Sequence, residues 1–294
     1  VTASARTSVL ISTYNSPLWL QKTLWGFFHQ SRQDFELLVA DDGSRPETAE
    51  LLRDMARFSP VPLAHVWQPD DGFQKCRILN KALAVARGER VLLTDGDCVP
   101  RRDFIDVHTR LAQPDCFLTG TYLKLPKNVA DAITEDDVQS QQAFRAGWLL
   151  THGLPFSPKL LKLVAGPPVD GWLNRWTPAR PTWNGHSASC LRSQAIAVNG
   201  FNEDMQYGGL DVEFGLRLNH IGVRTRHIRY STITLHLHHG HGYVTPGMRE
   251  HSHDVKERTR DEKLQRAARG LDQWLAADGR PTLKADDRVT WLKT

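Results

Sequence analysis

Short apolar runs and amphipathic runs alternate through the first hundred residues. Ser8-Val9-Leu10-Ile11-Ser12, Phe35–Ala40, Leu63–Trp67 and Val91-Leu92-Leu93 are short and apolar. They read as strands buried on both faces. Pro17–His29, Pro46–Arg57 and Gln74–Arg87 instead carry apolar residues three and four apart, which predicts helices. Pro17 opens the first and Gly88 closes the third. The alternation predicts an α/β fold with a mostly parallel, Rossmann-like sheet and helices on both faces.

The strands stop at polar residues. Thr13-Tyr14-Asn15-Ser16-Pro17, Asp41-Asp42-Gly43-Ser44, Asp70-Asp71-Gly72 and Asp95-Gly96-Asp97 all follow apolar runs. Asp-Gly pairs are common turn formers. Their repetition on one sheet edge points instead to a ligand site, because open α/β sheets bind ligands at the carboxyl ends of their strands. Asp95 and Asp97 repel unless they share a cation, and hard oxygen ligands suit Mg²⁺ or Mn²⁺. No G-x-G-x-x-G follows the first strand and no G-x-x-x-x-G-K occurs. If the ligand is a nucleotide, a metal held at the Asp95–Asp97 pair could neutralise its phosphates instead.

The middle of the chain is less regular. A helix is expected at Asp136–Leu150, then proline-rich chain carrying Trp148, Trp172 and Trp176, with Trp183 next. Packing against the sheet is the favoured role of each tryptophan, and stacking on sugar rings the alternative. Asn184–Leu191 reads as a strand with small residues facing something close. Gly208-Gly209 precede a helix through Ile221 whose first turn holds Asp211 and Glu213, where acids are common. The two glycines suggest a close approach to the backbone. Ile233–Leu235 reads as a strand, and His236, His238, His239 and His241 after it favour a metal role. Beyond Pro246, Leu264, Ala267, Ala268, Leu271, Trp274 and Leu275 recur at helical spacing. They predict a helix packed on the domain, with a peripheral membrane contact as the sharper alternative.

The chain has 294 residues and net charge +4, too mild for a nucleic-acid partner but compatible with an anionic ligand. Cys76, Cys98, Cys116 and Cys190 form no C-x-x-C pair and read as reduced, mostly buried thiols of a cytoplasmic protein. No apolar run is long enough to span a bilayer, and Val1–Thr7 lacks a signal-peptide core.

These motifs resemble the family 2 glycosyltransferases, which have the GT-A fold. The resemblance runs from about Ser8 to Gly242. It rests on Ser12-Thr13-Tyr14-Asn15, Ala40-Asp41-Asp42-Gly43-Ser44 and the Asp95-Gly96-Asp97 (DXD) motif. Asp70–Cys76 with Asn80 is similar to bacterial chondroitin-polymerase-type enzymes. Asn199–Glu203 followed by Gly208-Gly209-Leu210-Asp211 is similar to β-1,4-galactosyltransferases. The resemblance implies a catalytic domain over 1–245, with a donor half to about 125 and an acceptor half after it, then a helical extension over 246–294. It implies a metal-dependent inverting transferase that moves a sugar from a nucleotide-sugar, UDP-linked by analogy, to a glycan or glycolipid hydroxyl. The implied setting is surface polysaccharide or lipopolysaccharide synthesis.

The donor-binding set implied by the resemblance is Ser12, Tyr14, Asn15, Asp42, Asp71, Lys75, Asn80 and Asp95. Tyr14 would stack on the base, Asp42 would hydrogen-bond it, and Asp95 would hold the ribose or a metal-bound water. Asp97, with His236 or His239, would ligate Mn²⁺ or Mg²⁺. Asp211 would be the general base, with Glu213 as fallback. Two positions depart from the family: Leu210 stands where Glu is frequent, and Leu79 where Arg is frequent, with Lys75 or Arg77 as substitutes. The competing readings are a non-catalytic sugar- or nucleotide-binding domain and a sugar-nucleotide pyrophosphorylase. The latter would need a glycine-rich basic loop that Ser12–Pro17 lacks.

Overall fold

A computed structural model of the chain describes residues 6–238, 240 and 246–294. The alternating pattern folds as β1 (Thr7–Thr13), α1 (Pro17–Phe28), β2 (Phe35–Asp41), α2 (Pro46–Ala56), β3 (Leu63–Trp67), α3 (Lys75–Val85) and β4 (Arg90–Asp95). Proline at the first helical turn starts both α1 and α2, where its missing N–H costs nothing. β3, β2, β1 and β4 pair in parallel in that order. Successive residues of β1 serve opposite cores. Val9 and Ile11 pack with Leu24, Phe27 and Leu52 from α1 and α2. Leu10 packs with Ile78 and Leu79 from α3. Burial on both faces explains why these strands read as continuous apolar runs.

The next elements are β5 (Cys98–Pro100), α4 (Phe104–Arg110), β6 (Cys116–Thr119), β7 (Tyr122–Lys124), α5 (Lys127–Ala132), α6 (Glu135–Gln139), α7 (Ala146–Thr151), α8 (Leu161–Val164) and α9 (Val169–Trp176). Then come β8 (Ala188–Leu191), α10 (Arg192–Ala197), α11 (Leu210–His220), β9 (Arg224–His227), β10 (Thr234–His236), α12 (Pro246–Asp261) and β11 (Arg288–Lys293). The main sheet has the order β11-β3-β2-β1-β4-β8-β6-β9, and β5-β10-β7 form a second, smaller sheet.

Three expectations are corrected. The helix expected at Asp136–Leu150 is broken: α6 starts on a Thr134–Asp137 capping box, and Gln141, in the left-handed region at φ 63°, ends it before α7. α3 stops at Val85, before Gly88. Gly88 instead passes so near β1 that a Cβ there would lie 2.6 Å from the Ser8 nitrogen. The C-terminal segment is not wholly helical. After α12 it carries Ala267, Leu271 and Trp274 into the main core and ends as β11, antiparallel to β3. Two of its backbone N–H groups are taken by Asn199: Leu271 N–H donates to Asn199 O and Asp272 N–H to Asn199 Oδ1, at 2.9 and 2.8 Å. With those side chains turned inward, the tail presents no large exposed hydrophobic among its described residues. The basis for a membrane contact there is lost.

Candidate active site

The sheet register gathers the polar strand ends. Ser12 lies opposite Asp95 on β4 and Ala40 on β2, and Thr13 lies opposite Asp41. A cleft of about 990 Å³ opens over this edge. Its walls include Tyr14, Asp42, Asp95, Asp97, Asp211 and His236.

Asp95 is tightly held: Ser12 Oγ donates to its Oδ1 at 2.7 Å and Lys75 Nζ to the same oxygen at 2.6 Å. Burial works against the Lys75 charge, but Asp95, Asp211 and Asp97 outweigh it and hold the ammonium above its ordinary range. Arg77 instead pairs with exposed Asp71 at 3.2 Å. Of the two substitutes for the arginine missing at Leu79, Lys75 is therefore the one in the cleft. Leu79 itself is fully buried in the core.

Asp97 owes its partner to the small sheet. β10 pairs with β5 so that His236 lies opposite Cys98, and Leu237 N–H donates to Asp97 O at 2.8 Å. His236 Nε2 comes within 4.0 Å of Asp97 Oδ1. One ligand atom each from Asp97, Cys98 and His236 falls within 4.8 Å of the others. A carboxylate and an imidazole at this separation fit a divalent cation such as Mn²⁺ or Mg²⁺. His238 also lines the cleft. His239 and His241 lie outside the described residues.

Across the cleft, α11 begins at Gly209, and the backbone at Gly208 and Gly209 is left-handed, with φ 104° and 79°. That conformation, rather than a close approach, calls for the two glycines. The close approach is at Gly185, where a Cβ would lie 2.8 Å from both Asp211 oxygens. Burial pushes the Asp211 carboxyl up to about 6; Lys75 and the Gly185 amide hold it down, and the Asp95 charge adds to the rise. Its Oδ1 is buried with no protein hydrogen-bond partner among the described residues.

At the far end Tyr14 Oη donates to Asp70 Oδ2 at 2.9 Å. Asp42 accepts from Gln68 Nε2 at 2.6 Å and from the Gln74 N–H at 2.8 Å, and burial raises it to about 7. Asn15, at φ 48°, shapes the turn: its Oδ1 accepts from Arg45 N–H at 2.9 Å.

Three expected site residues point elsewhere. Glu213, the fallback base, is forked onto Arg217 at 2.8 Å through both oxygens and accepts from Thr259 Oγ1, fully enclosed. Its place on the helix, two residues from Asp211, turns it into the core. Asn80 is fully buried. It donates to Phe201 O and accepts from Phe201 N–H, at 2.8 and 2.7 Å, so it clips α3 to the Asn199–Glu203 turn rather than meeting a donor. Asp71 stands outside, on Arg77.

The site also includes residues that sequence reasoning passed over. Phe73 and Tyr207 meet edge to face at 5.7 Å on the cleft wall. His186 packs against Tyr122, which packs on His236. Burial holds His186 down at about 4. The signal for Tyr207 was its place directly before Gly208-Gly209.

Residues 8–127 match the model of the "Glycosyl transferase family 2" family. That segment is similar to the family 2 glycosyltransferases. Similarity extends past it: Escherichia coli chondroitin synthase is 27% identical over 243 residues, which cover 75% of this chain and 33% of the relative. Validoxylamine A glucosyltransferase of Streptomyces hygroscopicus subsp. jinggangensis is 26% identical over 237 residues, covering 74% and 52%. The chain thus spans about half or less of the length of these relatives. The GT-A fold is shared with solved structures. Mannosyltransferase PcManGT from Pyrobaculum calidifontis, in complex with GDP-Man and Mn²⁺, matches at TM-score 0.55 and 20% identity, over 82% of this chain and 59% of that one. TarS 1-349 of S. aureus, in complex with UDP-GlcNAc, matches at TM-score 0.55 and 16% identity, over 91% and 69%. Within the family 2 segment lie the strand ends that carry Tyr14, Asp42, Asp95 and Asp97. Asp211 and His236 reach the cleft from outside it.

Proposed function

We propose that the chain is a metal-dependent inverting glycosyltransferase that moves a sugar from a UDP-sugar to a hydroxyl of a glycan or glycolipid, in surface polysaccharide or lipopolysaccharide synthesis. One observation carries the reading: a buried, unpartnered carboxylate oxygen of Asp211 shares a cleft with the Asp97–His236 pair and with Asp95. The UDP-GlcNAc bound to TarS and the Mn²⁺ bound to PcManGT support the choice of ligands.

Tyr14 stacks on the base, and Asp42, once ionised, accepts from its ring N–H. Asp95, oriented by Ser12 and Lys75, receives a ribose hydroxyl. Asp97 and His236 hold Mn²⁺ or Mg²⁺. When bound, the cation offsets the negative charge that grows on the departing diphosphate. Asp211 Oδ1 takes the proton of the acceptor hydroxyl as its oxygen attacks the anomeric carbon from the face opposite the diphosphate. The new C–O bond forms as the bond to phosphate breaks, so the anomeric centre inverts and nucleoside diphosphate leaves. A carboxyl near 6 is largely ionised at neutral pH yet basic enough to accept this proton.

Calorimetric titration of UDP with Mn²⁺, and again with EDTA, tests the donor half. Binding is expected to need the metal and to be lost in Asp97→Ala; UDP binding indifferent to both would sink the metal assignment. For the acceptor half, Asp211→Asn is expected to bind UDP normally and to lose transfer by about 10²–10⁴-fold. Transfer near the native rate would refute the base.

A further inference from the structure

Exposed hydrophobic side chains are concentrated in one segment. Of the eleven large hydrophobic residues exposed among the described residues, seven lie between Leu150 and Trp176. Phe156 is 83% exposed, Val164 66%, Trp172 61% and Trp176 64%. Exposed apolar side chains concentrated in one segment in this way mark an interaction surface.

α9 turns its largest apolar residues outward. Beside buried Leu173, its inward face carries polar residues bonded to the chain beneath: Asp170 accepts from Ser231 Oγ at 2.6 Å. Asn174 donates to the same oxygen at 2.8 Å and accepts from Tyr230 N–H at 3.0 Å. Its outward face carries Val169, Trp172 and Trp176, spaced three and four apart and all exposed. An ordinary surface helix has the reverse arrangement.

Within this segment the charge is almost all of one sign. Between residues 145 and 180 the cations are Arg145, Lys159, Lys162, Arg175 and Arg180, and the single acid, Asp170, is buried. Arg229 adds to them. Burial lowers the Lys162 ammonium, and the neighbouring Arg229 and Lys159 charges lower it further. Tryptophan and aliphatic side chains ringed by lysine and arginine suit a lipid headgroup boundary with anionic charge.

We infer that α8, α9 and the turn at Phe156 form a docking face for a membrane of anionic phospholipids. The face adjoins the cleft. Lys162 Nζ donates to Thr121 Oγ1 at 2.7 Å, and the next residue, Tyr122, packs on His236 at 5.1 Å. Docking there brings the acceptor side of the cleft to the membrane plane; this purpose rests on the transferase reading, whereas the binding itself does not.

Co-sedimentation with vesicles of phosphatidylcholine, alone or mixed with phosphatidylglycerol, tests it. The native chain is expected to bind the mixed vesicles, to release with salt, and to ignore phosphatidylcholine alone. Lys159→Gln with Arg175→Gln should weaken binding about thirtyfold, and Trp172→Ser with Trp176→Ser on the order of a hundredfold. Both double variants should keep native melting and Mn²⁺-dependent UDP binding, so that failure of docking and failure of the donor reading are told apart. Equal binding to both vesicle types, binding to neither, or variants that bind as the native chain does would overturn the inference. So would a dimer that dissociates in the Trp172→Ser, Trp176→Ser variant, which would give the face to a second copy.

Discussion

Asp211 concentrates the chemistry of the site in one carboxyl. Burial raises it from 3.8 to about 6, against the pull of Lys75. Because the folded value lies above the unfolded one, the stability this group contributes is present below about pH 4 and lost as pH rises through 6. Asp211→Asn removes that loss. Relative to the native chain, the variant should be more stable by about 1–3 kcal/mol near pH 8 and no different below pH 4, read from urea midpoints at each pH. As the proposed base, the same residue would set the rate profile, since only the ionised carboxylate accepts a proton. Transfer should fall as pH drops below about 6, and Lys75→Gln should move that limb upward by removing the charge that steadies Asp211. An unmoved limb would mean that a different group titrates.

At the scale of elements, α11 separates two acids that look alike on paper. Asp211 and Glu213 share its first turn, yet one faces the cleft and the other is enclosed with Arg217. The guanidinium also donates to the carbonyls of Gly200 and Val198, so the pair ties α11 to the turn after α10. Thr259 joins α12 to it. Arg217→Met would leave a buried carboxylate unpaired, a loss expected to cost about 3–5 kcal/mol in chemical denaturation. A helical Glu-x-x-x-Arg spacing is a pairing signal in its own right, so Glu213's role was readable from residues 213 and 217 alone. The placement of Asn80 was not, because its partner Phe201 lies on a distant turn.

For the whole molecule, the C-terminal segment is part of the main folded body. β11 covers the β3 edge, Trp274 fills the core beside α3, and its Nε1 donates to Glu203 Oε1 at 2.5 Å. Lys81, on α3, pairs with Asp287 at 2.6 Å with both side chains 3% exposed. Asp287→Ala strands the ammonium and is expected to cost about 3–5 kcal/mol. If the urea midpoint does not move, the segment is not integral to the fold. Charge and spacing suggest a helical extension packed on the domain, since its apolar residues repeat at helical intervals; the core claims those residues in a non-helical conformation.

Local pattern alone established the strand–helix alternation, the acidic strand ends and the Asp95–Asp97 pair, because side-chain period and turn chemistry act within a few residues. Tertiary structure alone decided which partner each polar group found. His236 meets Asp97 only through the β5–β10 register, and Lys75 rather than Arg77 enters the cleft because the start of α3 brings its ammonium to Asp95 at the end of β4. Asp211 is tuned by burial under Gly185, and the tail is consumed by the core while α9 turns its tryptophans outward. Each of these depends on contacts between segments far apart in the chain, and the periodicity within a single segment carries no record of them.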